Sequence, residues 1–547
     1  MSTEGLFLFL KKLTAFFLCA VVLLPLTACK NGRPKNADKT IKYNLSAEPK
    51  TLDPQIASDS ESITVIQALF EGLVRLDKDG NPQPGVAVSW TSDESDRKFT
   101  FRLRENAKWS DKKHTPVTAD DFVFAFRRAL APQTGSTTCT PMLCIQNARK
   151  VHAGQLSTDQ LGVSAKDAHT LVVQLEYPSP DFPKLTASAV FMPCNEKFFD
   201  STSGRYGLDT DYLLGNGPFR VDGAYGWEHG KYLNLARSSS YTGRQEPLPA
   251  GIAFSIGTKA TGVSDPVAAL TDGTVDAVSV TETQSEEAVR KGCSVVSFED
   301  TTWGLCLNTQ AAPMNNENVR KAFLQALDRK KVLEHLPKAA TPADDIVLPA
   351  ARLFGKSYRT QAGTGGFYIR QSSGAAQTLS TGLAQMGLSS PGSIRVICPD
   401  DTNIKLMLNE MIASWNTQFH QYFNMEPLSQ DALDARVRSG DFQMALCPIS
   451  PAGDSPYDTL SLFTGSGTSN PARLNDSAYN AMLEKALEAP KGSAAGLYAS
   501  AEKYLNDRAV FYPLYHERHY YAAAKGVTGI RFLPYGMGID FIGAGKE

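Results

Sequence analysis

The stretch Lys98–Leu130, KFTFRLRENAKWSDKKHTPVTADDFVFAFRRAL, carries both of the periods from which an α/β body is built. Phe99, Phe101 and Leu103 alternate with Thr100, Arg102 and Arg104, the pattern of a strand with one face buried. Further along, Thr118-Ala119-Asp120-Asp121 reads as a capping box, and Phe122, Ala125, Phe126 and Ala129 follow at helical spacing. The same two periods recur outward from this stretch. Val319, Ala322, Phe323, Ala326 and Leu327 form a helical stripe. Ile404, Met407, Leu408, Met411, Ile412 and Trp415 form another, directly after the strand-like Ile394-Arg395-Val396-Ile397. A further stripe runs through Tyr479, Met482, Leu483, Ala486 and Leu487. Strands alternating with helices over hundreds of residues predict α/β domains.

A hydrophobic content of 42% and a charged content of 20% are those of a globular protein. The 547 residues are too many for a single core, so two or three domains are expected. Lys and Arg number 55 against 57 Asp and Glu, a formal net charge of −2. That balance argues against nucleic acid or an anionic membrane surface as the main partner. Gly and Ser cluster around 361–376 and 463–470, which read as surface loops.

The N-terminus reads as a targeting segment. Lys11 and Lys12 precede an apolar run, Leu13–Leu26, that is short for a membrane span. The run ends in Leu26-Thr27-Ala28-Cys29, which resembles the lipobox of bacterial lipoproteins. The resemblance implies that residues 1–28 leave as a signal peptide and that Cys29 takes acyl chains, palmitate among them. Residues 29–40, polar and bearing Pro and Gly, then form a lipid-anchored tether, since more than one chain on one residue anchors stably. The expected place is the periplasm or the outer face of the cell membrane.

Apart from Cys19 and Cys29, seven cysteines remain, at 139, 144, 194, 293, 306, 398 and 447. An odd number leaves at least one unpaired or joined to another chain. Cys139 and Cys144 are close enough in sequence to bridge, although burial as thiols is the commoner fate. There is no zinc pattern, and no cofactor is expected.

Several segments, in order, resemble the periplasmic oligopeptide- and dipeptide-binding proteins, the family 5 solute-binding proteins of ABC importers. They begin with Glu48-Pro49-Lys50-Thr51-Leu52-Asp53-Pro54, Leu69-Phe70-Glu71-Gly72-Leu73-Val74 and Pro84-Gly85-Val86-Ala87. Ala107-Lys108-Trp109-Ser110, Asn216-Gly217-Pro218-Phe219 and Val319-Arg320-Lys321-Ala322-Phe323 continue the series. The resemblance implies an α/β fold of two lobes in the type II periplasmic-binding-protein arrangement, with an additional inserted domain. Domain I is expected in three parts, 41–84, 205–300 and 509–547; domain II is the insertion 85–204; domain III is 301–508. It implies a monomer that holds a small peptide between domains I and III and works with the permease and ATPase subunits of an importer. Trp90, Trp109 and Phe101 are expected in the core, and Asp53-Pro54 and Asp79-Gly80 in turns.

The resemblance also implies site residues. Glu61 matches a Glu that faces the ligand in relatives, and Asn216 stands where a side chain reaches the ligand backbone. In peptide-binding members a run W-x-A-D-Y-x-x-P supplies the Asp that holds the peptide's amino group. Here Ile449-Ser450-Pro451-Ala452-Gly453-Asp454-Ser455-Pro456 puts Ala452 at the Asp position and Ile449 at the Trp position. Leu446 takes a place where some members have Arg. Asp454, with Asp458 beyond it, is therefore the expected substitute for the missing carboxylate. The alternatives are a ligand whose amine stays in water or is absent, such as a modified cell-wall peptide, glutathione or a metal complex, and a ligand-sensing lipoprotein without a transporter.

Enzyme motifs are incomplete. Gly355-Lys356-Ser357 has the tail of a P-loop, but position 350 is Ala. Gly363-Thr364-Gly365 lacks the third spaced Gly, because position 368 is Tyr. His516-Glu517-Arg518-His519 is one residue short of HExxH, and G-x-S-x-G is missing. A non-enzymatic binding protein is the expectation.

Overall fold

The computed structural model describes residues 39–257, 264–363, 365–465 and 470–547. The signal segment, Cys29 and the tether up to residue 38 lie outside them.

The chain begins with strand β1 (Thr40–Leu45) and helix α1 (Ser60–Leu69). It then leaves for an insertion: β2 (Ala87–Ser92), β3 (Lys98–Leu103), α2 (Ala119–Leu130), β4 (Val163–Asp167), β5 (Thr170–Gln174) and the short α3 (Phe182–Leu185). It returns through β6 (Phe219–Val221), β7 (Tyr232–Arg237), β8 (Gly251–Ile256) and β9 (Ala277–Val280). The long β10 (Ser294–Leu307) leads into a second lobe with α4 (Glu317–Gln325), β11 (Arg395–Pro399), α5 (Thr402–Phe419), β12 (Asn424–Leu428) and β13 (Met444–Ile449). Helices α6 (Pro456–Leu460), α7 (Ser477–Leu487) and α8 (Lys491–Asp507) follow, and β14 (Phe511–Ala523) carries the chain back to the first lobe.

Ten of these strands lie in one mixed sheet in the order β12-β11-β13-β10-β14-β9-β1-β8-β7-β6, with two short strands at its side. The insertion has its own antiparallel sheet, β2-β3-β5-β4. The result is an α/β architecture of two lobes with an additional inserted domain.

The local patterns explain these elements. In β3, Phe99, Phe101 and Leu103 point inward and Lys98 and Arg102 outward. The Thr118/Asp121 capping box starts α2, satisfying backbone N–H groups that the first turn leaves free. Trp109, Phe101 and Trp415 are fully buried, while Trp90 is only partly so. One apolar core runs through the first lobe and the insertion together, from Ile41 and Phe254 to Phe101, Phe126 and Phe182. The second lobe has separate cores on the two faces of its sheet, around Phe323 and Trp415 and around Phe463 and Tyr479. All seven described cysteines are buried free thiols, Cys139 and Cys144 included.

Candidate ligand-binding cleft

β10 and β14 pair antiparallel from Ser294↔Ala523 to Cys306↔Phe511, so this ribbon crosses from one lobe into the other. Its register shifts between Glu299 and Thr301 and again between Trp303 and Gly304. Bulges of this kind re-aim strands and side chains. The ends of the ribbon are covered by β9 and β13, but at the crossing Phe298, Glu299, Glu517, Arg518 and His519 are only partly covered or exposed. Because side chains alternate along a strand, Glu517, His519 and Tyr521 share one face.

Polar groups on this crossing are engaged with one another. Asp300 accepts a hydrogen bond from the Tyr535 backbone N–H at 3.0 Å and lies 3.2 Å from His519 Nε2. Burial alone disfavours a charged His519, but the Asp300 carboxylate, with Glu517 behind it, more than offsets this and raises its pKa. Glu517 accepts the Trp303 indole N–H at 2.7 Å, and Glu299 pairs with Arg518 at 2.7 Å. His516, on the opposite face, is buried beside Thr302 Oγ1 at 3.0 Å, and burial pushes its pKa down to about 4. Tyr521 stacks on Phe532 with ring centroids 4.7 Å apart. Its pKa is pushed up to about 12 by burial first, then by the Asp300 and Glu61 carboxylates.

Glu61 sits in the first turn of α1, begun by the Asp59 cap, and accepts hydrogen bonds from the Ser46 hydroxyl and from Ser60 Oγ at 2.8 Å. Among the described residues it has no cationic partner.

The other expected site residues are used by the protein itself. Asn216 is buried, accepts from the Glu71 N–H at 3.0 Å and donates to the Glu71 carbonyl at 2.9 Å. Its side-chain amide is thus engaged with the Glu71 backbone, just past the end of α1. Gly217 permits this, since a Cβ there would lie 2.5 Å from the Leu69 carbonyl carbon. Asp458 is likewise engaged within the protein. It is the third residue of α6, accepts from the Ser455 N–H at 3.0 Å in a capping box, and is pushed up to a pKa of about 6 by burial. Asp454, the expected amine anchor, is already ion-paired with Lys184 at 2.7 Å, across 270 residues. Ile449 and Leu446, at the family's Trp and Arg positions, are buried in the second lobe.

Sequence reasoning missed Asp300, Lys184 and the Glu517-His519-Tyr521 face. Lys184 carried no local signal. A separate cavity of about 700 Å³ lies along α2 in the insertion, lined among others by Phe124, Phe199 and Tyr206. Its arginines are already paired, Arg127 with Asp159 and Arg128 with Asp53.

Two α/β lobes joined by a crossing ribbon, with polar and aromatic groups gathered at the crossing, form the candidate cleft. A family model described as "Bacterial extracellular solute-binding proteins, family 5 Middle" matches residues 81–471, and the chain belongs to that family. It is 27% identical to the oligopeptide-binding protein OppA of Bacillus subtilis over 95% of this chain and 97% of the relative. The substrate-binding domain of an oligopeptide ABC transporter from Bacillus anthracis superposes with a TM-score of 0.77 at 25% identity, covering 94% of this chain and 100% of the other. The periplasmic murein peptide-binding protein MppA of Escherichia coli is 28% identical over 86% of both chains. The chain superposes on one MppA structure with a TM-score of 0.73, over 93% of this chain and 99% of the other, at 24% identity. On the unliganded open form the score is 0.61 at the same identity, over 93% of this chain and 98% of MppA. Among the described residues no helix is long and apolar enough to cross a membrane.

Proposed function

We propose that this protein captures oligopeptides between its two lobes and delivers them to the permease and ATPase subunits of an ABC importer. It acts as a monomer held at the membrane by acyl chains on Cys29. The observation that carries this reading is similarity to peptide-binding relatives along nearly the whole of both chains. The part boundaries read from the sequence, 41–84, 205–300 and 509–547 for domain I, 85–204 for domain II and 301–508 for domain III, belong to the same proposal.

Within the cleft we assign the ligand's amino group to Glu61 rather than Asp454. A cation enclosed without a counter-charge is costly. Asp454 already has Lys184, whereas Glu61 has only hydroxyl donors. Calorimetry with a free and an N-acetylated peptide tests the assignment. The free peptide is expected to bind at least about tenfold tighter, and Glu61→Gln to erase the difference.

The second reading is a cell-wall peptide or another ligand with a blocked amine. It is favoured by Ala452 at the family's Asp position, by the Lys184–Asp454 pairing and by the similarity to MppA. Equal binding of the acetylated peptide selects it. The anchor is tested apart from the ligand: Cys29→Ala is expected to abolish acyl labelling, and unchanged labelling overturns it.

A further inference from the structure

The insertion touches the second lobe at a small set of polar contacts. Lys184 Nζ lies 2.7 Å from Asp454 Oδ2, with both side chains mostly covered. An Arg149 guanidinium N–H donates to the Tyr457 hydroxyl, across 308 residues. The Tyr177 and Tyr457 rings meet edge to face, 6.0 Å apart. All three contacts join the insertion to the short stretch 454–457 after β13.

Both sides of this contact are firmly mounted. Lys184 stands on α3, whose Phe182 is buried against Phe99, Phe101 and Phe191 in the core shared with the first lobe. Asp454 is fixed to the second lobe, its carbonyl accepting the Arg352 N–H at 2.7 Å, and Tyr457 lies in α6. The contact itself is different in kind, a mostly covered ion pair, a hydroxyl bond and one ring edge. Small polar contacts between rigid bodies separate and re-form far more readily than a buried apolar seam.

We infer that Lys184, Arg149 and Tyr177 form a clasp with Asp454 and Tyr457 that holds the second lobe closed, making the insertion the fixed jaw. The clasp adjoins the stretch that the family resemblance sets against the ligand, because Ala452 and Asp454 share one loop. Lys184 is thus a positioning residue for the ligand-side loop, and its bond with Asp454 biases the open–closed balance even in the empty protein. The inference rests on the cleft reading above but not on the ligand being a peptide.

The test is small-angle scattering of the ligand-free protein, with thermal melting to confirm folding. Lys184→Glu is expected to move the closed-to-open ratio about tenfold or more toward open, seen as a larger radius of gyration. The pair exchange, Lys184→Asp with Asp454→Lys, is expected to restore the compact radius. Tyr457→Phe, a milder change, is expected to open the protein in part. An unchanged radius in folded Lys184→Glu and Tyr457→Phe, or an exchange variant no more compact than either of its single changes, overturns the clasp. Trialanine titrated into the same samples separates the two ideas. Binding with no change in radius among the variants removes the clasp and keeps peptide capture. No binding with the expected opening removes peptide capture and keeps the clasp.

Discussion

Of the carboxylate–cation pairs that tie the insertion to its neighbours, Arg128–Asp53 and Lys184–Asp454 differ most in depth and valence. Arg128 on α2 grips Asp53 of the first lobe through two hydrogen bonds, 2.8 and 2.5 Å, and also donates to Gln55. Its guanidinium lies 4.4 Å from the Phe199 ring centre, and both charged side chains are almost wholly covered. Lys184 meets Asp454 of the second lobe through one hydrogen bond and keeps about a quarter of its side chain in solvent. The first pair sits within the reach of a continuous core, the second at a contact where Leu487 of α7 also packs against that core. The difference teaches that the insertion is welded to the first lobe and only latched to the second. On the clasp inference, motion belongs to the second lobe, swinging about the β10–β14 crossing.

The comparison breaks most visibly at the weld. Arg128→Ala leaves the Asp53 carboxylate buried and unpaired, and is expected to cost about 3–5 kcal/mol in urea unfolding. A loss below about 1 kcal/mol would mean that the weld is no different from the latch. The crossing between the two pairs is probed by pH. His516 has a folded pKa of about 4 against an ordinary 6.5, so its contribution is present above about pH 6.5 and is lost as pH falls toward 4. Between pH 7 and 5 this amounts to about 2 kcal/mol, and His516→Gln is expected to remove that part of the slope. An unchanged slope would show that His516 is not held neutral by its surroundings.

The smaller effects sharpen the latch. Glu61→Gln is expected to weaken a free-amine peptide by about tenfold in calorimetry while leaving the unfolding midpoint nearly unchanged. Lys184→Ala is expected to cost about 1 kcal/mol or less in global stability. A larger loss would make this pair a second weld.

Much of the frame was legible in the sequence because it is local. The alternation of Phe99, Phe101 and Leu103, the Thr118 capping box and the stripe ending at Trp415 each lie within one element, where period alone assigns the buried face. The site was legible only in part. Asn216 meets the Glu71 backbone where Gly215 and Gly217 let the chain close on the Leu69 backbone, a partner that no local pattern names. Asp53, read as turn chemistry, also holds Arg128 across 75 residues. The pairing of Asp454 with Lys184 spans 270 residues. No period or cap encodes such partners; they follow from how the insertion and the second lobe meet. Asp458 is the local case, since the pattern Ser455-Pro456-Tyr457-Asp458 marks it as part of a cap.

The most direct test of peptide capture is affinity-selection mass spectrometry. Protein stripped of bound molecules is incubated with a mixed pool of di- to hexapeptides, separated from the free pool, and denatured to release what it retained. The account predicts retained peptides with free amino groups, and their loss from Glu61→Gln carried through the same procedure. A protein that retains no peptide above the background of a mock column would contradict it.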